Sequence, residues 1–334
     1  MSKTRNHHYI PQCYLKGFAE TRSKDSMLQV WDLVRRRQFP TRPRNVASMR
    51  DFNRIEAEGV DPNFLEMQLA EFESELDGTL GRIIMSQAIT SEDDLTYVLN
   101  LMAMSLVRHP STRDSIAHSV GENHHAAVLL ALESKDQWNT QVQRMREAGE
   151  PVGEEVTYEQ VRDYVESGKF RLVVDRSYLN RLELQHFEDV LPYFFDRVWT
   201  VIRTDPARAP FITSDRPLFM LWAQREDNLN RPPPRLNDKN TLMLFPLSKE
   251  LTLFGRTSGL PKVESADTER VAMINAYQLL NARSQIIAPH YGFRYALGAK
   301  AEIRCHEHIF TDWSPLQLRD EGGARSPFPR TYWG

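Results

Sequence analysis

Hydrophobic spacing changes character near residue 192, and that change restricts the fold of this chain more than any other feature. Before it, apolar residues recur at helical intervals. Leu65, Leu69, Phe72, Leu76, Leu80 and Ile83 make one such series, with Glu66, Glu71, Glu75 and Asp77 on the other faces. After it, short apolar runs bounded by turn residues take over, at 198–203, 210–215, 242–247 and 251–255. An earlier hairpin is predicted from the run 28–34, the turn at Arg35-Arg36-Arg37 and the return at 38–41. Hairpin, then helices, then antiparallel strands with one late helix is a segregated order. It predicts an α+β fold, a helical lobe packed on a mainly antiparallel sheet, and not a βαβ alternation. The chain of 334 residues reads as one domain over 1–318, with the helical lobe at about 60–190, the sheet lobe at about 191–315 and a tail at 319–334.

Local signals place the elements. Asp61 as N-cap and Pro62 at the first helical position open the first long helix. Ser91, with Asp94 three residues on, caps a second helix that is apolar nearly all round and stops at Arg108-His109-Pro110. A third follows Ser111. Residues 45–48 read as a turn and 51–53 as a strand-like piece. Residues 133–155 are polar and read as an exposed excursion. Thr157 caps a short helix, 175–187 forms another, 225–239 is a long polar loop, and 265–283 is the late helix.

Lys+Arg 42 against Asp+Glu 45 gives a formal net charge of −3, so binding to a polyanion would need a local patch. The two cysteines, Cys13 and Cys305, are too few for a disulfide framework. No apolar run reaches the roughly 18 residues of a membrane span, and no secretory signal is visible. A cytoplasmic protein with no membrane partner is expected. P-loop and dinucleotide-binding signatures are absent.

The amino-terminal stretch, Asn6-His7-His8-Tyr9-Ile10-Pro11-Gln12 with Tyr14-Leu15-Lys16-Gly17-Phe18, is dense in aromatic and hydrogen-bonding side chains. Termini of that composition are predicted to be inserted in the core. The stretch resembles the opening of the uncharacterised bacterial family known as domain of unknown function 4238. Val30-Trp31-Asp32, Pro43-Arg44-Asn45-Val46, Arg108-His109-Pro110 with Arg113, Phe211-Ile212-Thr213-Ser214-Asp215-Arg216-Pro217, Pro246-Leu247-Ser248, and Asn275 with Asn281-Ala282-Arg283 resemble later blocks in the same order. Cys13 stands where the pattern usually has phenylalanine, and Arg216 where it has an amide or small residue. The resemblance implies a bacterial or phage-like soluble protein and supplies no substrate.

The chemistry is read from the residues. Neutral imidazole is a metal ligand and a general base, so His7 and His8 are catalytic candidates, with Asp215 at a strand end as the third. His8 and Asp215 are the candidate ligands for a divalent metal ion. Gln12, Arg108, Arg113, Asn275 and Arg283 are the substrate-binding candidates, because arginine forks suit phosphate. Asn275 and Asn281, six residues apart, are predicted to point to different sides of the late helix, with Gln278 nearer Asn275. His-His-Tyr-Ile-Pro is also similar to the start of HNH-type metal nucleases, but the later histidine such a site needs does not come before His109. Two expectations follow. One is a metal-dependent nuclease or phosphodiesterase, such as a phage-defence effector, with nucleic acid as partner. The other is a non-catalytic sensor or partner-binding module in which the same residues form a structural network.

Overall fold

In β1 (Asn6–His8) the chain pairs at once with a strand more than forty residues later. The computed structural model describes residues 6–55, 59, 61–150, 157–168, 173–223, 233–298 and 301–312. The expected tail at 319–334 and most of the 225–239 loop lie outside them. After β1 comes the short α1 (Gln12–Leu15), then the hairpin β2 (Leu28–Asp32) and β3 (Arg37–Thr41), in the register Leu28↔Thr41 to Asp32↔Arg37. β4 (Ser48–Arg50) pairs antiparallel with β1. The strand-like piece expected at 51–53 is therefore three residues early, and Asp51 turns the chain with φ 56°.

The helices follow. α2 (Phe64–Ser86) starts two residues beyond the expected Asp61-Pro62, where the Asp61 carboxylate accepts from Asn63 N. α3 (Glu92–Val107) is capped by Ser91, whose hydroxyl accepts from Asp94 N as read from the sequence. α4 (Pro110–Ala131) follows directly, with Pro110 at its first turn. The supposed excursion at 133–155 contains α5 (Lys135–Glu147), capped by Ser134. None of its residues is buried, so no apolar stripe announces it. α6 (Tyr158–Glu166) carries a full capping box between Thr157 and Gln160, and α7 (Arg176–Phe195) completes the series.

The remaining elements are β5 (Val198–Arg203), β6 (Thr213–Ser214), β7 (Phe219–Trp222), β8 (Thr241–Pro246), β9 (Leu251–Arg256), β10 (Lys262–Ser265), α8 (Thr268–Asn281), β11 (Gln285–Ala288), β12 (Arg294–Leu297) and β13 (Glu302–Cys305). Only two residues of the strand expected at 210–215 join a sheet. The five-stranded sheet has the order β10-β5-β9-β8-β7 and is antiparallel except for β10 beside β5. The four-stranded sheet has the order β3-β2-β11-β6, and two two-stranded sheets pair β1 with β4 and β12 with β13. The protein is α+β.

The chain divides into two compact units, 1–109 with 183–334, and 110–182. α2 and α3 group with the sheets. In the first unit the large sheet is covered on both faces, which is why β8 is buried throughout and apolar from Leu242 on. Val201, Leu253, Met243 and Phe245 face a core shared with α2, α3 and the N-terminal segment. Ile202, Phe254 and Leu244 face the opposite core, built on α8. The N-terminal segment is inserted as expected, with Ile10, Tyr14, Leu15 and Phe18 fully buried. Tyr14 Oη lies 2.7 Å from Thr213 Oγ1 and donates to Pro246 O at 2.8 Å. Gly17 is required by close approach, since a Cβ there would stand 2.9 Å from Leu247 O. In the second unit, Leu132, Val165 and Leu179 are buried, and Tyr158 Oη donates to Leu132 O. No helix among the described residues is long and apolar enough to cross a membrane.

Candidate functional site

The sequence-derived candidates fall into two polar clusters of the first unit, together with residues that serve the fold. The first cluster surrounds β1. Asn53 N donates to His7 Nδ1 at 2.8 Å, so the neutral ring carries its proton on Nε2. The Asn53 side-chain amide donates to Glu66 on α2, and its Oδ1 accepts from Arg108 Nη2 at 2.6 Å. Arg108 also reaches His8 O at 3.4 Å from the end of α3. His7, His8, Asn53 and Arg108 are all buried. Desolvation holds His8 below the usual imidazole range, against the opposing charge of Glu66. Glu73, one helical turn and more beyond Glu66, is pushed up to about 7, chiefly by desolvation. Arg108 opposes this shift, Glu66 adds to it, and the Gln12 backbone N–H, which donates to the carboxylate, opposes it. Gln12 thus meets an acid of its own protein.

The second cluster is at one end of the four-stranded sheet. Asp215 follows β6 and is 1% exposed. Its Oδ1 accepts from Arg283 N at 2.9 Å. Its Oδ2 accepts from Ser284 N at 2.7 Å and Ser284 Oγ at 2.5 Å. Burial raises its carboxyl, and those donors oppose the rise. His109 Nε2 stands 4.0 Å from Asp215 Oδ2. The buried His109 ring is held down to about 4 by desolvation first and then by the Arg216 and Arg283 guanidiniums, so it is neutral near pH 7. Arg216 and Arg283 are both exposed as whole residues, but burial of the Arg216 guanidinium lowers it from its usual range, against the opposing charge of Asp215. Tyr9 links the clusters, its ring edge-on to His109 at 5.7 Å.

α8 builds the second cluster through a ladder of amides. Asn275 Oδ1 accepts from Ile212 N, and its Nδ2 donates to Pro210 O and Arg294 O. Gln278 donates to Pro217 O, and Asn281 donates to Leu218 O and Arg216 O. Asn275 and Asn281, six residues apart and expected on different sides of the helix, both bond to the 210–218 segment. The 210–218 segment winds across the helix and meets all three amides. Asn275 is buried and spends both of its donors and one acceptor position on the 210–212 segment and Arg294, so its role is to hold the chain leading to Asp215.

The structure brings Asp215 to His109 and Arg283. No hydrogen bond or ion pair joins Asp215 to His7 or His8 among the described residues. The metal pair His8 and Asp215 does not fit: both Asp215 oxygens already accept from the chain, and no group of three or more His, Cys, Asp or Glu among the described residues is placed to hold a metal ion. Arg113 is in the second unit, where its Nη2 donates to Asn180 Oδ1 at 2.8 Å. Sequence reasoning missed His109, Asn53, Glu66, Glu73 and Arg216 as site residues. The usable signal was Arg108-His109-Pro110, where a helix end leaves two consecutive polar side chains at a fixed bend.

The sequence model of a family described as protein of unknown function (DUF4238) matches residues 6–290. The chain belongs to that family. The matched stretch contains both clusters of this DUF4238 protein and ends before β12. No curated protein and no solved structure matches the chain.

Proposed function

We propose that this DUF4238 protein hydrolyses phosphodiesters at the end of the four-stranded sheet. The observation that carries this reading is the pair of arginines, Arg216 and Arg283, both near enough to depress the neutral, buried His109 that lies 4.0 Å from Asp215. Two like charges held beside one imidazole favour a dianion or a phosphodiester between them, and guanidiniums supply forked donors for its oxygens. His109 is then the general base. The oxygen of a water attacks phosphorus, its proton passes to the imidazole, and the bond from phosphorus to the leaving alkoxide breaks, with solvent protonating the alkoxide. A bound anion also raises the pKa of His109 towards neutrality, which improves it as a base. Asp215 positions the ring and the 283–284 backbone. The step uses no metal ligand from the described residues.

A second reading applies to the paired histidines. The buried hydrogen bonds that link His7, Asn53, Glu66 and Arg108 favour a structural role, fastening β1 to α2 and α3.

Turnover of bis(p-nitrophenyl) phosphate tests the proposal. The expected kcat/KM rises through pH ~4 on its acid limb, the free-enzyme value for His109. His109→Gln should remove that limb and at least 100-fold of the rate, a typical general-base contribution. Arg283→Gln should raise KM. Absence of turnover, or a His109→Gln rate within twofold of the parent, would sink the reading.

A further inference from the structure

The register of the four-stranded sheet gathers more positive charge at this end than the phosphodiester site requires. Arg37 on β3 faces Asp32 on β2, Asp32 faces Gln285 on β11, and Asp215 N donates to Gln285 O across to the β6 strand. The β2–β3 turn therefore emerges at the same edge as the 215–216 and 283–284 segments. A direct bond confirms the adjacency, since Leu33 N donates to Ser284 O at 2.8 Å. Five arginines crowd this edge: Arg35, Arg36 and Arg37 from the turn, with Arg216 and Arg283.

The acids in the same row are Asp32 and Asp215, and both are buried. Asp32 Oδ1 accepts from Arg35 N, and its Oδ2 accepts from Arg35 Nη1 at 3.1 Å and lies 4.0 Å from Arg37 Nε. The two arginine side chains are nevertheless 69% and 60% exposed. Arg36 sits at φ 49° and donates to Phe310 O, which fixes the turn without neutralising it. Glu307, on the 3-10 turn His306–His308 close by, is the exposed acid of that neighbouring segment.

From this alignment we infer that the sheet end is a track for a single polynucleotide strand, with the β2–β3 turn holding phosphates beyond the one at Arg216 and Arg283. The inference rests on the hydrolytic site as proposed above and names its substrate class. The span is suited to it: two to three strand steps of ~4.8 Å separate the Asp215 strand from the turn, about 10–14 Å. Successive phosphates of one strand advance by ~3.4 Å along a stacked helix, so the track covers about three or four of them. A single-phosphate metabolite would leave the turn unused. An acidic peptide lacks that regular charge spacing.

Fluorescence anisotropy with the full chain tests the track. The probes are labelled 20-nucleotide DNA and RNA strands, a labelled mononucleotide, and vesicles of phosphatidylserine, each titrated across salt concentration. The expected result is at least tenfold tighter binding of a 20-mer than of the mononucleotide. Arg35→Gln/Arg37→Gln should lower the salt slope of 20-mer binding by about 1.4, the value for two lost single-strand phosphate contacts. Mononucleotide binding and diester turnover should be unchanged in that variant. Arg36→Gln, which leaves the Asp32 pairs intact, should lower the slope by about 0.7 and guards against a folding artefact. Identical slopes in parent and both variants would overturn the track, as would equal affinity for mononucleotide and 20-mer, or a preference for vesicles. Strand binding without hydrolysis would overturn the hydrolytic reading and leave the track standing. Diester turnover with unaltered slopes would do the reverse.

Discussion

Two polar clusters meet at the adjacent residues Arg108 and His109 and at the Tyr9–His109 ring contact, and they are built in opposite ways. Around β1 a buried chain of side-chain bonds runs from His7 to Asn53 and from Asn53 to Glu66 and Arg108, while His7 Nε2 and His8 Nδ1 find no hydrogen-bond partner among the described residues. At the sheet end the buried acid is answered by backbone and serine donors, and the arginines next to it stay exposed as whole residues. A buried hydrogen-bonded network of this kind fastens elements of the fold to one another. A cationic pair beside a neutral base has capacity left over. In the reading proposed above, the motif densest in histidine is the structural one, and the site for chemistry is the one with the plainer sequence.

The strongest way to break the contrast is to remove what holds the sheet end in place. Asn275→Ala strips partners from Ile212 N, Pro210 O and Arg294 O, and should cost about 3 kcal/mol or more in urea unfolding. A loss below 1 kcal/mol would mean that α8 does not set the Asp215 turn. Asn53→Ala should cost about 2 kcal/mol, because it strands Arg108 and Glu66 while leaving the backbone bond to His7. Diester turnover should persist in Asn53→Ala when measured well below its melting point.

pH sharpens the comparison, since Glu73 of the first cluster and His109 of the second pull stability in opposite directions. Glu73 titrates at about 7 in the folded state and near 4.3 unfolded, so the native state binds the extra proton between those values. Its contribution to stability falls as pH rises from about 4.5 to 7, by on the order of 2 kcal/mol. His109 is lowered to about 4 from 6.5, so the unfolded state binds the extra proton there. Its contribution falls as pH drops from about 6.5 to 4. In the parent the two slopes oppose each other. Glu73→Gln should therefore tilt the stability curve upward with pH across this window, and His109→Gln should tilt it downward. Parallel curves for the two variants would refute the assignment. The smallest effect is expected for Arg283→Gln, under about 0.5 kcal/mol in stability for an exposed side chain, with loss of the thermal shift produced by added phosphate.

Much of the fold was legible. Ser91 and Thr157 announced their helices because a cap is a local hydrogen bond. The β2–β3 and β8–β9 pairs were readable because short loops leave little choice of partner. α5 escaped because its helix is exposed on all sides and carries no apolar period. β6 was overdrawn because 210–212 is held by Asn275 and by Lys249 O instead of a neighbouring strand.

The sequence by itself determined the α+β class, the burial of the amino terminus and membership of the DUF4238 family. These rest on periodicity, on caps and on a dense contiguous motif, all of which act within a few residues. Only the tertiary structure decided which polar groups meet. Asp215 reaches Ser284 because β11 pairs with β6, and it reaches His109 because α3 ends beside that strand, both from distant parts of the chain. His7 is silenced by Asn53 because β4 pairs with β1. A carboxylate or imidazole is defined by its partners, and strand register and helix packing choose those across tens to hundreds of residues.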